Sequence, residues 1–396
     1  MQNFKLNETE ILSNQDWTFP TNTAYGPGRF KEIGDQCNKF GIRNPLIVTD
    51  NGSTKLPFIN ELKELLLKAN IKSDLFSEIS PNPREDEISA GCKKYKDGNH
   101  DSIIAIGGGS AMDGGKLICL TANNDIPLRD FEFELTPPKI SKDNPFPKII
   151  TIPTTAGTGA ETEITAMVTY LKEGMKFCMW HPDVRPVLAL VDPELTLGLP
   201  SSLTAWTGVD AMVHAIEGYC VPGFHPLCDG SALESLSLIS KSLYLAVEEP
   251  KNLIARGGMH IGSYLGGVAF LKGLGNVHSI SHMVGAEFNT QHGLTNAIIL
   301  PVVLKYNLYD MEEKVKRMSE AMQFKDHSID SFINNIEKML DRLQIPKSLS
   351  EIGVTEDCVD RIAEKAMKDQ AYATNPKKAS YEDMKEMVMQ SIKKAR

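Results

Sequence analysis

The chain has 396 residues, of which 41% are hydrophobic and 23% are charged, as in ordinary globular proteins. Its formal net charge is −9 and it contains no long run of lysine or arginine, which argues against nucleic acid and anionic membranes as main partners. No apolar stretch is long enough for a membrane span, and the N-terminus lacks a signal-peptide core. Seven scattered cysteines without a CxxC pair predict reduced thiols in a cytoplasmic protein.

The first half of the sequence alternates between short apolar runs and segments with helical spacing. The apolar runs predict buried strands at 45–50, 73–79, 102–106, 148–152 and 187–191. The helical spacing predicts helices at 58–70 and 86–98. Strands and helices that alternate in this way predict a parallel sheet covered by helices, which is an α/β fold.

The pattern changes after Pro200, where β-branched runs disappear and apolar residues recur with a period near 3.6. This change predicts an all-helical second half. We therefore expect two domains, an α/β nucleotide-binding domain over residues 1–195 and a helical domain over residues 196–396.

A glycine-rich turn follows the strand at 102–106, in "SIIAIGGGSAMDGGK". Glycines allow a sharp turn and a close approach of backbone to ligand, and the N-terminus of the next helix attracts phosphate. Ser110 is predicted to cap that helix. The pattern is not GxGxxG, so by itself it indicates a phosphate-bearing ligand, and a tight turn without a ligand is the alternative.

Two further features suit a nucleotide. Asp50 ends the first strand, where a carboxylate can bind the adenosine ribose of NAD and repel the 2′-phosphate of NADP; an ordinary loop aspartate is equally consistent with the sequence. The stretch "TIPTTAGTGAETE" at 151–163 offers small hydroxyl side chains for phosphate and ribose, or is simply a polar loop.

Acidic and histidine side chains cluster in two apolar segments of the second half. "TGVDAMVHAIEGY" places Asp210 and His214 four residues apart on one helix face, where a salt bridge alone is one interpretation. "GNVHSISHMVGAEFNTQHG" adds His278, His282 and His292. One carboxylate with several imidazoles is a good ligand set for iron or zinc, and burial of so many separate polar groups is costly.

Four motifs together resemble the iron-containing (group III) alcohol dehydrogenases: "GGGSAMDGGK", "IPTTAGTGAE", "TGVDAMVHAIEGY" and "GLGNVHSISHMVGAEFNTQHGLTNAIILP". The resemblance runs from Trp17 to the C-terminus and leaves residues 1–16 without a counterpart. It implies a dehydroquinate-synthase-like fold, with a Rossmann-like nucleotide-binding domain, an all-α domain and a metal in the cleft between them. It also implies a homodimer or a higher homo-oligomer.

The resemblance assigns roles to individual residues. It implies one divalent metal, Fe²⁺ before Zn²⁺, and its ligands are Asp210, His214, His278 and His292. His282 lies near the nicotinamide and assists proton transfer without binding the metal. The implied residues around the cofactor, NAD rather than NADP, are Asp50, Asn82, Gly107, Gly108, Gly109, Ser110, Asp113, Thr154, Thr155, Thr158 and Lys176.

The implied activity is hydride transfer between NAD(H) and a small primary alcohol or its aldehyde, with the metal polarising the substrate oxygen. A reductase of a phosphonate, sulfonate or hydroxy-acid aldehyde on the same scaffold is one alternative, and a metal- and nucleotide-binding protein without turnover is another. Three departures from the family pattern concern the substrate pocket. The spacing from Phe270 to His278 is one residue shorter than usual, which reshapes a pocket wall, and two residues differ. Glu163 replaces a frequent threonine, and Ala371 replaces a frequent cysteine.

Overall fold

A computed structural model describes residues 21–396 of the chain. Three predictions concern residues outside this range: the start of the family resemblance at Trp17, the lack of a counterpart for residues 1–16, and the absence of a signal peptide. Within them, no helix has both the length and the apolar character needed to cross a membrane.

Six parallel strands form the main sheet and two antiparallel strands form a separate hairpin. Among residues 21–396 the strands are β1 (Thr23–Tyr25), β2 (Pro45–Asp50), β3 (Asp74–Ile79), β4 (Ser102–Gly107), β5 (Lys148–Pro153), β6 (Thr165–Tyr170), β7 (Met175–Trp180) and β8 (Leu188–Val191). The order in the main sheet is β1-β8-β5-β4-β2-β3. All five strands predicted from the sequence are present with boundaries within two residues, while β1 and the β6–β7 hairpin were not predicted.

Among the described residues, four α-helices accompany the sheet and ten follow it. The first four are α1 (Ile33–Phe40), α2 (Pro57–Lys68), α3 (Glu85–Asp97) and α4 (Gly109–Ala122). The helical half contains α5 (Ser201–Cys220), α6 (Pro226–Glu248), α7 (Leu253–Ala269), α8 (Asn276–Phe288), α9 (His292–Asn307), α10 (Glu312–Ala321), α11 (Ile329–Arg342), α12 (Val359–Ala366), α13 (Gln370–Ala373) and α14 (Tyr381–Lys393). The predicted helices at 58–70 and 86–98 are confirmed as α2 and α3.

The strand order creates a crevice at the carboxyl edge of the sheet. Strand β3 pairs with one edge of β2. The chain then crosses over, so that β4 pairs with the other edge of β2 and β5 lies beyond β4. The loops that follow β2 and β4 therefore diverge, and such a point of divergence is where open α/β sheets bind ligands. Asp50 ends β2 and Gly107 ends β4, so two predicted cofactor residues border this crevice.

The sheet and the helical half have separate hydrophobic cores. One cluster in the helical half includes buried side chains of α5 to α9, for example Val209, Ile280 and Ile298. Two clusters, one on each face of the sheet, are built from strand residues such as Val48 and Ile104. The last strand ends at Val191 and the first long helix begins at Ser201, and the proposed domain boundary near residue 195 falls between them.

Candidate metal centre and cofactor cleft

Four side chains predicted as metal ligands converge in the helical half. Asp210 and His214 lie one turn apart on α5, His278 lies on α8, and His292 is the first residue of α9. Each offers one ligand atom, and these atoms all lie within 4.8 Å of one another. Asp210, His214 and His278 are buried, and His292 is partly buried. Residues from three helices thus meet at one point, as a single metal site requires.

Hydrogen bonds outside the cluster fix the orientation of two of these imidazoles. His278 Nδ1 lies 2.6 Å from Glu217 Oε2, and His214 Nδ1 lies 3.2 Å from the carbonyl oxygen of Gly157. A carboxylate or a carbonyl can only accept, so each Nδ1 carries the proton and donates. Each Nε2 consequently faces the cluster as a lone pair, which is the form that binds a metal.

The electrostatic environment keeps most of the cluster free of protons. Burial lowers the pKa of His214 to about 4, against the opposing charge of Asp210. Burial also lowers the pKa of His292 well below its ordinary value, and the charge of Lys176 acts in the same direction. For His278, burial is outweighed by the hydrogen bond and charge of Glu217, so its pKa is raised. His214 and His292 are therefore neutral at pH 7, as predicted metal ligands need to be.

Asn296 provides a test of whether a cation fits this donor set. Its Nδ2 lies 2.6 Å from Asp210 Oδ1, 3.2 Å from His278 Nε2 and 3.1 Å from His292 Nε2. Three acceptors thus surround an amide group that has only two hydrogens. This surplus of buried lone pairs is the arrangement that a divalent cation satisfies, and one carboxylate with three imidazoles suits Fe²⁺ or Zn²⁺.

His282 lies beside the four predicted ligands and outside the group whose ligand atoms converge. Its Nδ1 is 2.9 Å from Asp369 Oδ2, and its ring stacks on that of His292 with 5.4 Å between centroids. His282 is buried, as is Asp369. The geometry therefore separates the histidine predicted for proton transfer from those predicted to bind the metal.

The glycine turn joins β4 to α4 as the sequence predicts, but Ser110 does not cap the helix. Gly107 has φ of +145°, so the turn is completed there and the chain enters the helix at Gly109 with Gly108 as the N-cap. Ser110 is consequently already inside the first helical turn, and the predicted cap is wrong. A side chain at Gly109 would collide with Thr158, since an added Cβ would lie 2.5 Å from its Cγ2.

Asp50 and the stretch after β5 border the same turn. Asp50 accepts hydrogen bonds from the backbone N–H and the hydroxyl of Ser53, at 2.9 and 2.8 Å. A Cβ on Gly107 would lie 2.9 Å from the carboxylate of Asp50. Thr154 donates its backbone N–H to the Gly107 carbonyl at 2.9 Å, and Thr155 packs beside Gly108. The structure thus brings these predicted cofactor residues together at one edge of the sheet.

Asn82 and Lys176 lie against α8 at Gly285. A Cβ placed on Gly285, three residues after His282, would lie 3.4 Å from Lys176 Nζ and 3.5 Å from Asn82 Oδ1. Asn82 Nδ2 donates to Asn289 at 2.7 Å, which holds the amide in place. Burial lowers the pKa of Lys176 to about 8. These two residues therefore connect the nucleotide-binding half to α8, the helix that also carries His282.

Three acidic side chains, Asp113, Glu161 and Glu163, lie near the buried Lys116. Asp113 Oδ1 lies 3.7 Å from Lys116 Nζ, and its other oxygen accepts from the Met167 N–H at 3.2 Å. Asp113 is thus tied to β6. Burial raises the pKa of Glu161 and of Glu163 to about 7, and the charge of Lys116 opposes both shifts. Glu163 is therefore an additional titratable group beside Lys116.

Comparison with known families covers almost the whole described chain. A sequence model of the iron-containing alcohol dehydrogenases matches residues 20–193, and one of the C-terminal part of the same family matches residues 204–392. The chain belongs to the iron-containing alcohol dehydrogenase family. The resemblance recognised in the sequence is confirmed, and so is the class of enzyme that it implies.

Members of this family resemble the chain over nearly its full length. It is 34% identical to alcohol dehydrogenase 4 of Schizosaccharomyces pombe, over 92% of this chain and 86% of the relative. It is 31% identical to the NAD-dependent methanol dehydrogenase of Bacillus methanolicus, over 94% of this chain and 98% of that relative. A crystal structure of a 1,3-propanediol oxidoreductase has a TM-score of 0.89 at 31% identity, covering 95% of this chain and 99% of that one. The predicted fold class is therefore confirmed.

Three residues of this iron-containing alcohol dehydrogenase site were missed by sequence reasoning. Glu217 could have been found, because it lies three residues after His214 and seven after Asp210, on the same face of α5. Asn296 lies four residues after His292 on α9, so helical spacing would have placed it on the same face as that histidine. Asp369 lies 87 residues from His282, and no local pattern connects them.

Proposed function

We propose that the chain is a metal-dependent dehydrogenase that oxidises a small primary alcohol to its aldehyde with NAD, and catalyses the reverse reduction. The observation that carries the proposal is the convergence of Asp210, His214, His278 and His292 beside His282. A sensor that only bound metal and nucleotide would not need His282 beside the donor set. The names and sequences of the relatives support the substrate class, and we propose Fe²⁺ as the native metal.

We assign the chemistry of the bound groups and of the protein as follows. When bound, the metal would polarise the substrate oxygen and the nicotinamide would exchange the hydride. His282 then takes up the alcohol proton at Nε2, because its Nδ1 already donates to Asp369. Lys176 and Asn82 position the nicotinamide end of the cofactor, and the glycine turn binds its pyrophosphate at the N-terminus of α4. Asp50 selects NAD over NADP.

We further propose that the enzyme is cytoplasmic and forms a homodimer or a higher homo-oligomer, with no nucleic acid as partner. The acidic net charge of −9 supports the absence of a nucleic-acid partner.

The activity is tested with protein purified without oxygen and analysed for bound metal. We expect NADH formation with a panel of primary alcohols and diols, its loss on chelation, and its recovery on addition of Fe²⁺ or Zn²⁺. Phosphonate, sulfonate and hydroxy-acid aldehydes are included in the reverse direction. Metal-loaded protein that turned over none of these substrates would contradict the proposed function.

The ligand set is tested separately with His278→Ala. His278 is one of the four proposed ligands and the partner of Glu217. Its removal should therefore abolish stoichiometric metal binding and turnover together. His260→Ala is the matched control, since His260 is also buried on a helix of the same half but lies outside the cluster. A full equivalent of metal in His278→Ala would show that the ligand assignment is wrong.

A further inference from the structure

Asp369 makes two hydrogen bonds that orient its carboxylate. Oδ1 accepts the backbone N–H of Ala371 at 2.8 Å, as the N-cap of the short helix α13. Oδ2 lies 2.9 Å from Nδ1 of His282. Only 6% of Asp369 and 4% of His282 is exposed, so water does not compete strongly for either group. The carboxylate is therefore held by the backbone on one side and aimed at His282 on the other.

We propose that Asp369 is a positioning residue for proton transfer, which fixes His282 in the tautomer with hydrogen on Nδ1 and presents Nε2 to the cleft as a base. This inference rests on the proposed role of His282. A carboxylate accepts and does not donate, so it admits only this tautomer of the neutral ring. The stacked ring of His292, 15° from parallel, restricts the plane of the imidazole from another side.

The competing explanation is that Asp369 serves only as a helix cap. The two roles respond differently to asparagine. In Asp369→Asn the amide oxygen can keep the bond from the Ala371 N–H, which turns the amide NH₂ toward His282. That NH₂ donates to Nδ1 and forces the ring hydrogen onto Nε2, so the cap is retained and the base is lost. In Asp369→Ala the cap is lost, but His282 is free to adopt either tautomer.

The test compares Asp369→Asn, Asp369→Ala, His282→Ala and the double variant Asp369→Asn/His282→Ala. We expect Asp369→Asn to keep a full equivalent of metal and a near-native Tm, while kcat falls by ~10² to 10⁴-fold. Its kcat should be no higher than that of Asp369→Ala, although Asp369→Ala is the less stable protein. In the His282→Ala background, Asp369→Asn should cause no further loss of kcat, because the two residues act through one group.

A spectroscopic measurement tests the tautomer without relying on activity. In zinc-loaded protein with ¹⁵N-labelled histidine, His282 Nε2 should give the signal of a nitrogen without hydrogen, identified by its loss in His282→Ala. In Asp369→Asn that signal should move to the range of a nitrogen that carries hydrogen. An unchanged signal would overturn the inference.

The kinetic outcomes separate this inference from the proposed function. If His282→Ala is impaired while Asp369→Asn turns over at the wild-type rate, the inference is wrong and the role of His282 stands. If His282→Ala keeps full turnover and full metal, the proposed role of His282 fails and the inference fails with it. An Asp369→Asn loss of kcat that persists in the His282→Ala background also overturns the inference.

Discussion

At the scale of single residues, three histidines of the site are each oriented by a second group that lies outside the predicted ligand set. Glu217 orients His278, the Gly157 carbonyl orients His214, and Asp369 orients His282. The chemistry therefore depends on three acceptors as much as on the histidines, since a rotated or wrongly protonated imidazole presents no lone pair.

Asp50 allows a prediction about cofactor choice. Two like charges about 4 Å apart cost about 4 kcal/mol at an effective dielectric near 20, reduced by solvent at an open edge. Asp50→Asn removes this charge, so the preference for NAD over NADP should relax by about 10- to 100-fold in the ratio of kcat/KM values. Steady-state kinetics with both cofactors measure it.

The control for Asp50 is Ser53→Ala, which removes the hydroxyl bonded to the carboxylate but keeps its charge. It should retain the preference for NAD. A wild-type enzyme that favours NADP, or a ratio unchanged in Asp50→Asn, would leave Asp50 as an ordinary turn residue.

At the scale of elements, the stretch between β5 and β6 joins the two halves of the molecule. A Cβ on Gly157 would lie 2.7 Å from the Thr207 carbonyl of α5. Gly159 has φ of +65°, and a Cβ on it would lie 2.6 Å from Gly267 Cα of α7. Backbone meets backbone at both contacts, so the segment predicted as a polar cofactor loop is also a packing surface.

Gly267→Ala tests this contact. The added methyl group would lie 2.9 Å from the Gly159 carbonyl, so the segment must shift and carry Gly157 away from His214. We expect weaker NAD binding and weaker metal binding together, with a loss of stability of about 1 to 3 kcal/mol from overpacking.

Isothermal titration with NAD, metal analysis and thermal unfolding measure the three effects of Gly267→Ala. Gly230→Ala is the control, since it is also a helical glycine but has nothing within 4 Å of the added methyl group. Wild-type affinities for both ligands in Gly267→Ala would contradict the predicted coupling.

Sequence reasoning predicted elements well where the signal is local. The strands β2, β4 and β5 are continuous apolar runs because helices cover both faces of the sheet. The β6–β7 hairpin was missed although "TAMVTY" and "MKFCMW" flank a turn at Glu173 and Gly174. The cap at Ser110 was predicted wrongly, because the backbone conformation of Gly107 decides where the helix begins.

For the site, the sequence predicted the metal-ligand candidates but not the groups that orient them. Asp210 and His214 share a helix face, so their pairing is visible in the sequence, and the family motifs supply His278 and His292. The bond between His282 and Asp369 is set by the packing of α8 against α13, which no periodicity encodes. The roles of the site residues and the domain boundary at 195 remain predictions.

At the scale of the whole molecule, the acidic group around Lys116 makes stability depend on pH. The pKa of Glu163 is raised by burial from 4.5 to about 7, so between these pH values the folded state binds more protons than the unfolded state. The contribution of Glu163 to the free energy of unfolding therefore falls as pH rises through this window. Glu163→Gln removes this contribution.

We expect the difference in free energy of unfolding between Glu163→Gln and wild type to shift in favour of the variant by on the order of 2 kcal/mol from pH 5 to pH 8. Urea unfolding at both pH values measures it. Glu64→Gln, at an exposed position on α2, should show the same difference from wild type at both pH values. A difference between Glu163→Gln and wild type that did not change with pH would show that Glu163 is not buried as a neutral acid.

The bond from His214 to the Gly157 carbonyl connects the predicted metal centre to the segment after β5, and we expect it to couple metal binding to dinucleotide binding. A cation that fixes the His214 ring also fixes Gly157, and so reduces the freedom that the segment after β5 must lose when a dinucleotide binds. Linkage is reciprocal: the factor by which the metal tightens dinucleotide binding equals the factor by which the dinucleotide tightens metal binding. We therefore expect the enzyme to lose its metal more slowly when the dinucleotide is bound, so that abundant cofactor protects the centre from metal loss.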